Sequence, residues 1–233
     1  MTSETIARAG HCTDRVEVPL RPACPPHTGA ASAAWPEHVK AVIDRVGAAV
    51  LLVPVLPLLV LLVVVIRLDS PGPALFRQTR TGRGGRPFTM FKLRTMAVGA
   101  EEMLPALSHL DRGSGPMVKL SADPRVTRVG RLLRRLSLDE LPQLWNVLRG
   151  EMSLVGPRPA LPREVAQYDA RARRRLDVKP GLTGPWQVSG RATLDWDRSI
   201  GLDLAYVDGW SLRGDLAVLV RTVGAVVGGR GAR

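Results

Sequence analysis

The stretch GAAVLLVPVLPLLVLLVVVI at residues 47–66 decides the fold, because it is apolar from end to end. Arg45 lies just before it, Arg67 ends it, and no charged residue interrupts it. At 1.5 Å per residue it forms about 30 Å of helix, which matches the hydrocarbon core of a bilayer. A helix inside a soluble protein would carry a polar face, and this stretch has none. The sequence therefore predicts a membrane helix over residues 37–69.

The interior and the flanks of this helix both bear on its path through the membrane. Pro54 and Pro57 fall near its middle, where each proline removes a helix hydrogen bond and bends the chain. Positive residues mark the cytoplasmic side of a membrane, and both flanks are basic. The basic flanking residues are Lys40 and Arg45 on one side, and Arg67, Arg77, Arg80, Arg83 and Arg86 on the other. These residues alone leave two paths open: a re-entrant helix and a single span.

Composition limits the partners without identifying one. The 233 residues fit one domain, and 45% are hydrophobic, which is enough for a core. The net charge of +12 predicts an anionic partner: nucleic acid, phospholipid head groups or a phosphorylated substrate. Cys12 and Cys24 do not form a disulfide framework, so a reducing compartment fits. Residues 1–36 show no apolar period and are predicted to be a disordered tail whose role cannot be read.

Residues 70–228 are predicted to form a domain of mixed α/β structure, mainly helical, followed by a short tail at 229–233. Short apolar runs at 74–76 and 87–96 favour strands. Apolar residues at helical spacing favour helices over 101–111, 127–136, 137–148, 162–176 and 212–227.

The densest group of candidate catalytic residues is RRLSLDELPQLWNVLRGEMSLVGPRP, residues 134–159. Asp139 and Glu140 stand together at the predicted start of a helix. Ser137 and Glu140 fit a capping box, which would only seal the helix end, but this cap does not use Asp139. The positive potential at a helix start is expected to keep Asp139 ionised. An ionised carboxylate can attack phosphorus or hold Mg²⁺.

Attack on a diphosphate needs positive charge beside the carboxylate. Arg134 lies just before the acidic pair, and Arg158 is held between two prolines, where a guanidinium can form a fork to phosphate oxygens. Lys92 and Arg94 are further candidates. The alternatives are an ordinary turn for Arg158 and an exposed strand edge for Lys92 and Arg94. The loop KPGLTGPWQVSGR, residues 179–191, is a weak candidate for a phosphate cradle because it lacks the known glycine patterns.

Taken together, these segments resemble the bacterial sugar transferase family, the monotopic phosphoglycosyl transferases, from about residue 40 to 222. The resemblance begins at Lys40, Asp44 and Arg45 and continues through the Pro-containing apolar helix. The other segments that carry it are SPGPALFRQTRTG (70–82), FKLRTM (91–96), the run from DPRVTRVG to LVGPRP (123–159), KPGLTGPWQVSGR (179–191) and LDLAYVDGWSLRGDL (202–216).

The resemblance implies a specific reaction. The Asp-Glu pair of the family falls on Asp139 and Glu140, and the Asp attacks the phosphate nearer the sugar of a UDP-sugar. UMP leaves, and undecaprenyl phosphate takes the sugar-phosphate from the enzyme. The family also implies Mg²⁺ with Glu140 as its ligand. Its phosphate-binding residues match Lys92, Arg134 and Arg158.

The resemblance also implies a place in the cell and a shape. The protein is expected at the bacterial inner membrane with its catalytic domain on the cytoplasmic face, held by a Pro-kinked re-entrant helix and interfacial amphipathic helices. This chain departs from the family in having Leu56 before Pro57, where Ser is frequent, and in having Pro54 as an additional proline. The detail of the break can therefore differ, since Leu cannot satisfy a freed carbonyl.

Two other functions stay open at this point: a membrane-anchored binder of anionic lipid or nucleic acid, and an inactive scaffold of the family. Aromatic residues make up 4% of the chain, which argues against a single-strand binder, so no nucleic-acid partner is expected. The transferred sugar and the glycan pathway, whether exopolysaccharide, capsule, O-antigen or protein glycosylation, cannot be read, and a homodimer is only a hypothesis.

Overall fold

Residues 37–111, 115–116, 120, 123–190 and 194–227 are described by the computed structural model. The predicted tails lie outside these residues. The described chain is mainly helical with two small sheets, as predicted. Its helices are α1 (Glu37–Asp69), α2 (Arg128–Arg135), α3 (Gln143–Arg149), α4 (Pro162–Ala166), α5 (Ala170–Arg173), α6 (Pro185–Val188), α7 (Trp196–Asp208) and α8 (Leu212–Val227). Its strands are β1 (Leu75–Thr81), β2 (Pro87–Leu93), β3 (Ser153–Val155) and β4 (Gly181–Thr183).

The predicted apolar N-terminal helix is confirmed as α1, which has 33 residues and extends over about 50 Å. Among the described residues, α1 alone is long and apolar enough to cross a membrane. The helix continues through Pro54 and Pro57, and both prolines are exposed. The Pro-kink and the re-entrant path stay predictions.

One face of α1 packs against the rest of the protein along most of its length. Buried or half-buried positions recur every three or four residues: Asp44, Ala48, Leu52, Val55, Leu59, Leu62 and Ile66. The first half of this face joins a core cluster around Leu144 and Val147, and the second half joins a cluster around Leu93 and Leu133. The remaining surface of α1 exposes valine and leucine. The helix is therefore attached by one face and leaves an apolar surface uncovered.

The hairpin of β1 and β2 places basic residues on a common face. The two strands are antiparallel, with Phe76 opposite Lys92 and Arg80 opposite Phe88. Because side chains alternate along a strand, Arg80, Met90 and Lys92 lie on the same face of the hairpin. The second sheet pairs β3 with β4 in parallel.

The predicted helix over 137–148 begins differently from expectation. Leu138–Glu140 form a 3₁₀ turn, and α3 starts only at Gln143. Ser137 has a left-handed backbone with φ of 55°, and its side chain makes no cap hydrogen bond. The capping-box prediction is therefore wrong, because the chain reverses at Ser137 directly after α2 and the serine has no helix end to seal.

Other predicted helices are confirmed in part. The stretch 162–176 divides into α4, α5 and a 3₁₀ helix, Arg174–Asp177, because Asp169 caps a new helix that starts at Ala170, its side chain accepting a hydrogen bond from Ala172 N. The stretch 101–111 holds only a 3₁₀ helix, Pro105–Leu110. Helix α8 has the predicted range, and its exposed Leu216, Val220 and Val223 form a second apolar surface.

A buried polar cluster ties the start of α1 to α7 and α8. Lys40 Nζ lies 2.7 Å from Asp215 Oδ2 and 3.5 Å from Asp44 Oδ1. Asp215 also accepts hydrogen bonds from the Tyr206 hydroxyl at 2.8 Å and from Trp210 Nε1 at 3.1 Å. Buried charges are stable only when they are paired in this way. The cluster therefore fixes the first turns of α1 against the C-terminal helices.

Candidate active site

The 3₁₀ turn Leu138–Glu140 carries the two candidate catalytic carboxylates. The turn packs against β2 on one side and α2 on the other. Asp139 is buried, and the Glu140 side chain is partly exposed. The left-handed Ser137 allows the tight reversal that points the turn back at the hairpin. The site is therefore built where the end of α2, the start of α3 and strand β2 meet.

Burial dominates the electrostatics of Asp139. It raises the pKa of Asp139 from 3.8 to about 6, against the lowering effect of Lys92, while Glu140 raises it further and Arg134 lowers it. The sequence-based expectation was a carboxylate held ionised by a helix end. The reason behind this expectation is wrong, because the helix starts only at Gln143 and burial raises the pKa of Asp139 more than the neighbouring charges lower it. With a pKa of about 6, Asp139 is still mainly ionised at neutral pH.

Glu140 and Lys92 form the ion pair at the centre of the site. Lys92 Nζ lies 2.8 Å from Glu140 Oε1, and both side chains keep partial access to solvent. An open cavity begins at this pair. Its lining residues are Arg80, Met90, Lys92, Glu140, Gln143, Arg158, Pro159, Gly181, Leu182 and Gln187. Three of the predicted site residues, Lys92, Glu140 and Arg158, therefore meet in one place.

Arg158 reaches the cavity from a rigid loop. Its Nη1 lies 3.2 Å from Oε2 of the buried Glu164, and its carbonyl accepts a hydrogen bond from Arg175. The loop packs backbone to backbone against β4, since Gly156 N donates to Thr183 at 2.9 Å and a Cβ at Gly181 would lie 2.1 Å from Gly156 N. Gly181 and Gly184 thus serve close packing against Gly156, and the phosphate-cradle role of residues 179–191 stays a prediction.

The remaining predicted cations have different positions. Arg134 does not line the cavity. Its Nε donates to the Thr95 hydroxyl at 3.1 Å, and its charge acts on the pKa of Asp139. The prediction that Arg94 binds phosphate is wrong. Its guanidinium donates to the Ser70 carbonyl at 2.6 Å, to the Ser70 hydroxyl, and to the carbonyl of Pro71. Arg94 therefore holds the turn that follows α1.

Sequence reasoning missed two residues of the site, Arg80 and Gln143. Both are buried and both line the cavity with Lys92. Arg80 was counted only as a flanking charge of the membrane helix. The strand alternation that places Arg80 on the same face as Lys92 was a usable signal once the hairpin register was known.

The comparisons with known proteins bear on this geometry. The family model described as bacterial sugar transferase matches residues 35–229, which include α1, the acidic turn and every basic residue of the cavity. The chain belongs to the bacterial sugar transferase family. Fifteen curated proteins match it closely.

Three relatives of this bacterial sugar transferase show the range of the family. A UDP-glucose:undecaprenyl-phosphate glucose-1-phosphate transferase of Caulobacter vibrioides is 48% identical over 79% of this chain and 68% of the relative. The galactosyl transferase CpsE of Streptococcus agalactiae is 45% identical over 75% of this chain and 39% of CpsE. The exopolysaccharide production protein ExoY of Rhizobium meliloti is 40% identical over 81% of this chain and 85% of ExoY.

The length covered differs among these relatives. This chain spans only 39–42% of the length of four of the curated relatives it matches, including CpsE, but most of ExoY. The matched part in every case covers at least three quarters of this chain.

The donor set of this sugar transferase fits one kind of metal site. Among the described residues, no three His, Cys, Asp or Glu side chains cluster as a complete metal cage. Asp139 and Glu140 supply two neighbouring carboxylates beside a cationic cavity. Mg²⁺ is commonly held by one or two carboxylates together with substrate phosphates. The residues present therefore fit Mg²⁺ bound jointly with a phosphorylated substrate.

Proposed function

We propose that this sugar transferase moves a sugar-1-phosphate from a UDP-sugar to a polyprenyl phosphate, with Asp139 as the nucleophile. The observation that carries the proposal is a buried carboxylate, Asp139, next in sequence to Glu140, which pairs with Lys92 in a cavity that Arg80 and Arg158 also line. That combination supplies both a nucleophile and the positive charge that a diphosphate needs. A protein that only bound anions would have no use for a buried acidic residue there.

The reaction has two displacements at the same phosphorus atom. A carboxylate oxygen of Asp139 bonds to the phosphorus nearer the sugar, the bond between that phosphorus and the bridging oxygen breaks, and UMP leaves with the bonding electrons. A phosphate oxygen of the acceptor then bonds to the same phosphorus, and the Asp139 carboxylate is released. Each step moves negative charge onto a leaving oxygen, which Lys92 and Arg158 are placed to stabilise.

The ionisation of Asp139 suits a nucleophile. A pKa of about 6 keeps the carboxylate ionised at neutral pH while its burial removes water that would weaken its attack. The Lys92 ammonium is the largest influence that favours the ionised form. Glu140 is the residue that would hold Mg²⁺, which would neutralise the charge of the diphosphate.

The apolar surfaces support a monotopic arrangement at the cytoplasmic face of the inner membrane. The packed face of α1 runs from Asp44 to Ile66, so the domain follows the helix along its whole apolar stretch. A helix that crossed the bilayer would draw those domain contacts, including the polar Asp44, through the hydrocarbon. A helix lying within one leaflet, next to the exposed Trp145 of α3 and Leu132 of α2, avoids that cost.

This location explains how the two substrates meet. The donor is soluble and charged, and the acceptor is a long hydrocarbon chain with a phosphate head. A site beside a leaflet-embedded helix lies at the head-group layer, where both substrates can reach it. Assembly of an exopolysaccharide, capsule or O-antigen type of glycan would begin with this product.

The proposal is tested by UMP release from the purified full chain in detergent or lipid. A panel of UDP-glucose, UDP-galactose and N-acetylated UDP-sugars is offered with undecaprenyl phosphate and Mg²⁺. Asp139→Asn should abolish release, whereas Asp197→Asn, an exposed aspartate on α7, should leave it unchanged. Turnover that survives in Asp139→Asn would remove the proposed nucleophile. No release with any donor from folded protein would favour a non-catalytic scaffold or lipid binder.

A further inference from the structure

Two buried hydrogen-bond donors without partners line the candidate active site. Nε of Arg80 and Nε2 of Gln143 are both buried, and neither has a hydrogen-bond partner within the described structure. Arg80 is 7% exposed and Gln143 is 2% exposed. Both side chains line the same cavity as Lys92, Glu140 and Arg158. An unpaired buried donor is costly, so two in one cavity call for an explanation.

The rest of the Arg80 guanidinium is firmly held. Nη1 donates to the carbonyl of Pro159 at 2.9 Å, and Nη2 donates to Oε1 of Gln78 at 2.6 Å. Gln78 is in turn fixed by Glu101, to which it donates at 2.9 Å. The guanidinium therefore cannot turn to satisfy Nε without losing two bonds. Nε is a fixed donor.

Gln143 lies at the first residue of α3, directly after the turn that carries Asp139 and Glu140. The side chain is among the most deeply buried polar groups of the protein. An apolar residue of similar size would fill this position without the cost of a desolvated amide. A ligand that accepts the hydrogen bond of this amide would offset that cost.

The charge of the cavity selects the class of ligand. Among the lining residues, Arg80, Lys92 and Arg158 face one carboxylate, that of Glu140, and Arg158 also pairs with Glu164 outside the cavity lining. A cation would leave both unpaired donors without an acceptor, and a neutral sugar hydroxyl would bring no counter-charge to Arg80. A phosphoryl oxygen accepts hydrogen bonds and carries negative charge, so it satisfies both.

We propose that Arg80 Nε and Gln143 Nε2 form a subsite for phosphoryl oxygens of the nucleotide diphosphate. The subsite rests on the proposed function, and it adds two substrate-contacting donors to the residues already named. Such donors hold the diphosphate in place while Asp139 approaches the phosphorus, and they act on charge that grows as UMP leaves.

The competing explanation is an ordered water that satisfies both donors in a purely structural way. The two explanations differ in what Gln143→Met does to stability. If the Gln143 amide has no hydrogen-bond partner until a ligand binds, Gln143→Met removes an unpaired donor. The melting temperature of the ligand-free protein then stays the same or rises. If the amide belongs to a structural water network, the melting temperature falls.

The test is calorimetric binding of UDP, inorganic pyrophosphate and uridine to the full chain in lipid nanodiscs. Gln143→Met should weaken UDP and pyrophosphate about ten- to a hundredfold, while uridine binding is unchanged. Gln167→Met, at an exposed glutamine outside the cavity, is the matched control and should bind all three like the wild type. Arg80→Lys keeps the charge but removes the Nε donor and should weaken the same two ligands.

Geranyl phosphate, a short acceptor analogue, separates the two sources of phosphate. Its binding should be unchanged in Gln143→Met, and a loss confined to geranyl phosphate would assign the subsite to the acceptor and overturn the proposal. If Gln143→Met binds UDP like the wild type, whether or not its melting temperature also falls, the proposal is overturned. If Gln143→Met weakens UDP as expected while the wild type turns over no UDP-sugar, the phosphoryl subsite stands and the transferase reaction does not.

Discussion

Lys92 Nζ lies 2.8 Å from Glu140 Oε1, which joins strand β2 to the acidic turn across 48 residues of sequence. The same ammonium is the strongest influence that lowers the pKa of Asp139 against its burial. One lysine therefore orients Glu140 and keeps the neighbouring carboxylate ionised. The pair links the hairpin to the site and makes the site sensitive to pH.

Lys92→Met should move the pH profile of UMP release toward higher pH. Removal of the ammonium takes away the largest lowering influence on Asp139, so its pKa rises above about 6 and less carboxylate is ionised at neutral pH. The acid limb of kcat/KM, measured from pH 5 to 8.5, should shift upward by about one unit or more. Lys179→Met, at a lysine outside the cavity, should leave the limb in place. An unshifted limb in Lys92→Met contradicts the electrostatic role.

Asp139→Asn should stabilise the protein at neutral pH while it abolishes activity. The folded pKa of about 6 lies above the ordinary 3.8, so the unfolded chain ionises first as pH rises and the folded state loses stability between those values. Above pH 6 the cost reaches about 3 kcal/mol, and the neutral amide avoids it. The gain should be present at pH 8 and absent at pH 4 in thermal unfolding. A variant less stable than the wild type at pH 8 contradicts the desolvation account.

Much of this site follows from the sequence because its residues lie in short motifs with a fixed local structure. Lys92, Glu140 and Arg158 were all predicted, and they line one cavity. Arg94 was misassigned because nothing local shows that the turn after α1 ends beside it and offers the Ser70 carbonyl. Gln143 was missed because only the folded structure shows that a polar residue on an apolar helix face is buried without a partner.

At the start of the catalytic turn, a local sequence pattern predicted the wrong structure. Ser137 and Glu140 have the spacing of a capping box, but capping needs a helix that starts at Leu138 with an extended residue before it. Ser137 is left-handed because α2 ends two residues earlier and the chain must reverse. The chain reversal after α2 thus determines the conformation of Ser137, although its local sequence fits a helix cap. The path of α1 through a bilayer likewise depends on the membrane, which neither sequence nor fold contains.

Lys40→Met should destabilise the attachment of α1 to the C-terminal helices. The change leaves Asp215 and Asp44, both buried, without their shared cation. Breaking a buried pair from one side costs about 3 to 5 kcal/mol, which thermal unfolding in detergent should register. Arg83→Met breaks the exposed Arg83–Glu37 pair near the same end of α1 and should cost less than about 1 kcal/mol. Equal effects of the two changes would show that the cluster is not structural.

Both ends of α1 should lie on the cytoplasmic side of the membrane. The test introduces single cysteines at His38 and at the exposed Leu68 in a chain whose Cys12 and Cys24 are replaced by serine. A membrane-impermeant maleimide should label both positions in inverted vesicles and neither in right-side-out vesicles. Labelling of one position in each vesicle type would show a single span and rule out the monotopic arrangement.

Intact-protein mass spectrometry tests the central claim most directly. The wild type is incubated with its UDP-sugar donor and Mg²⁺ in the absence of acceptor, and the adduct is located by peptide mapping. The account predicts a sugar-phosphate on Asp139 that disappears when undecaprenyl phosphate is added and never forms in Asp139→Asn. Turnover without any adduct, or an adduct on a residue other than Asp139, would contradict it.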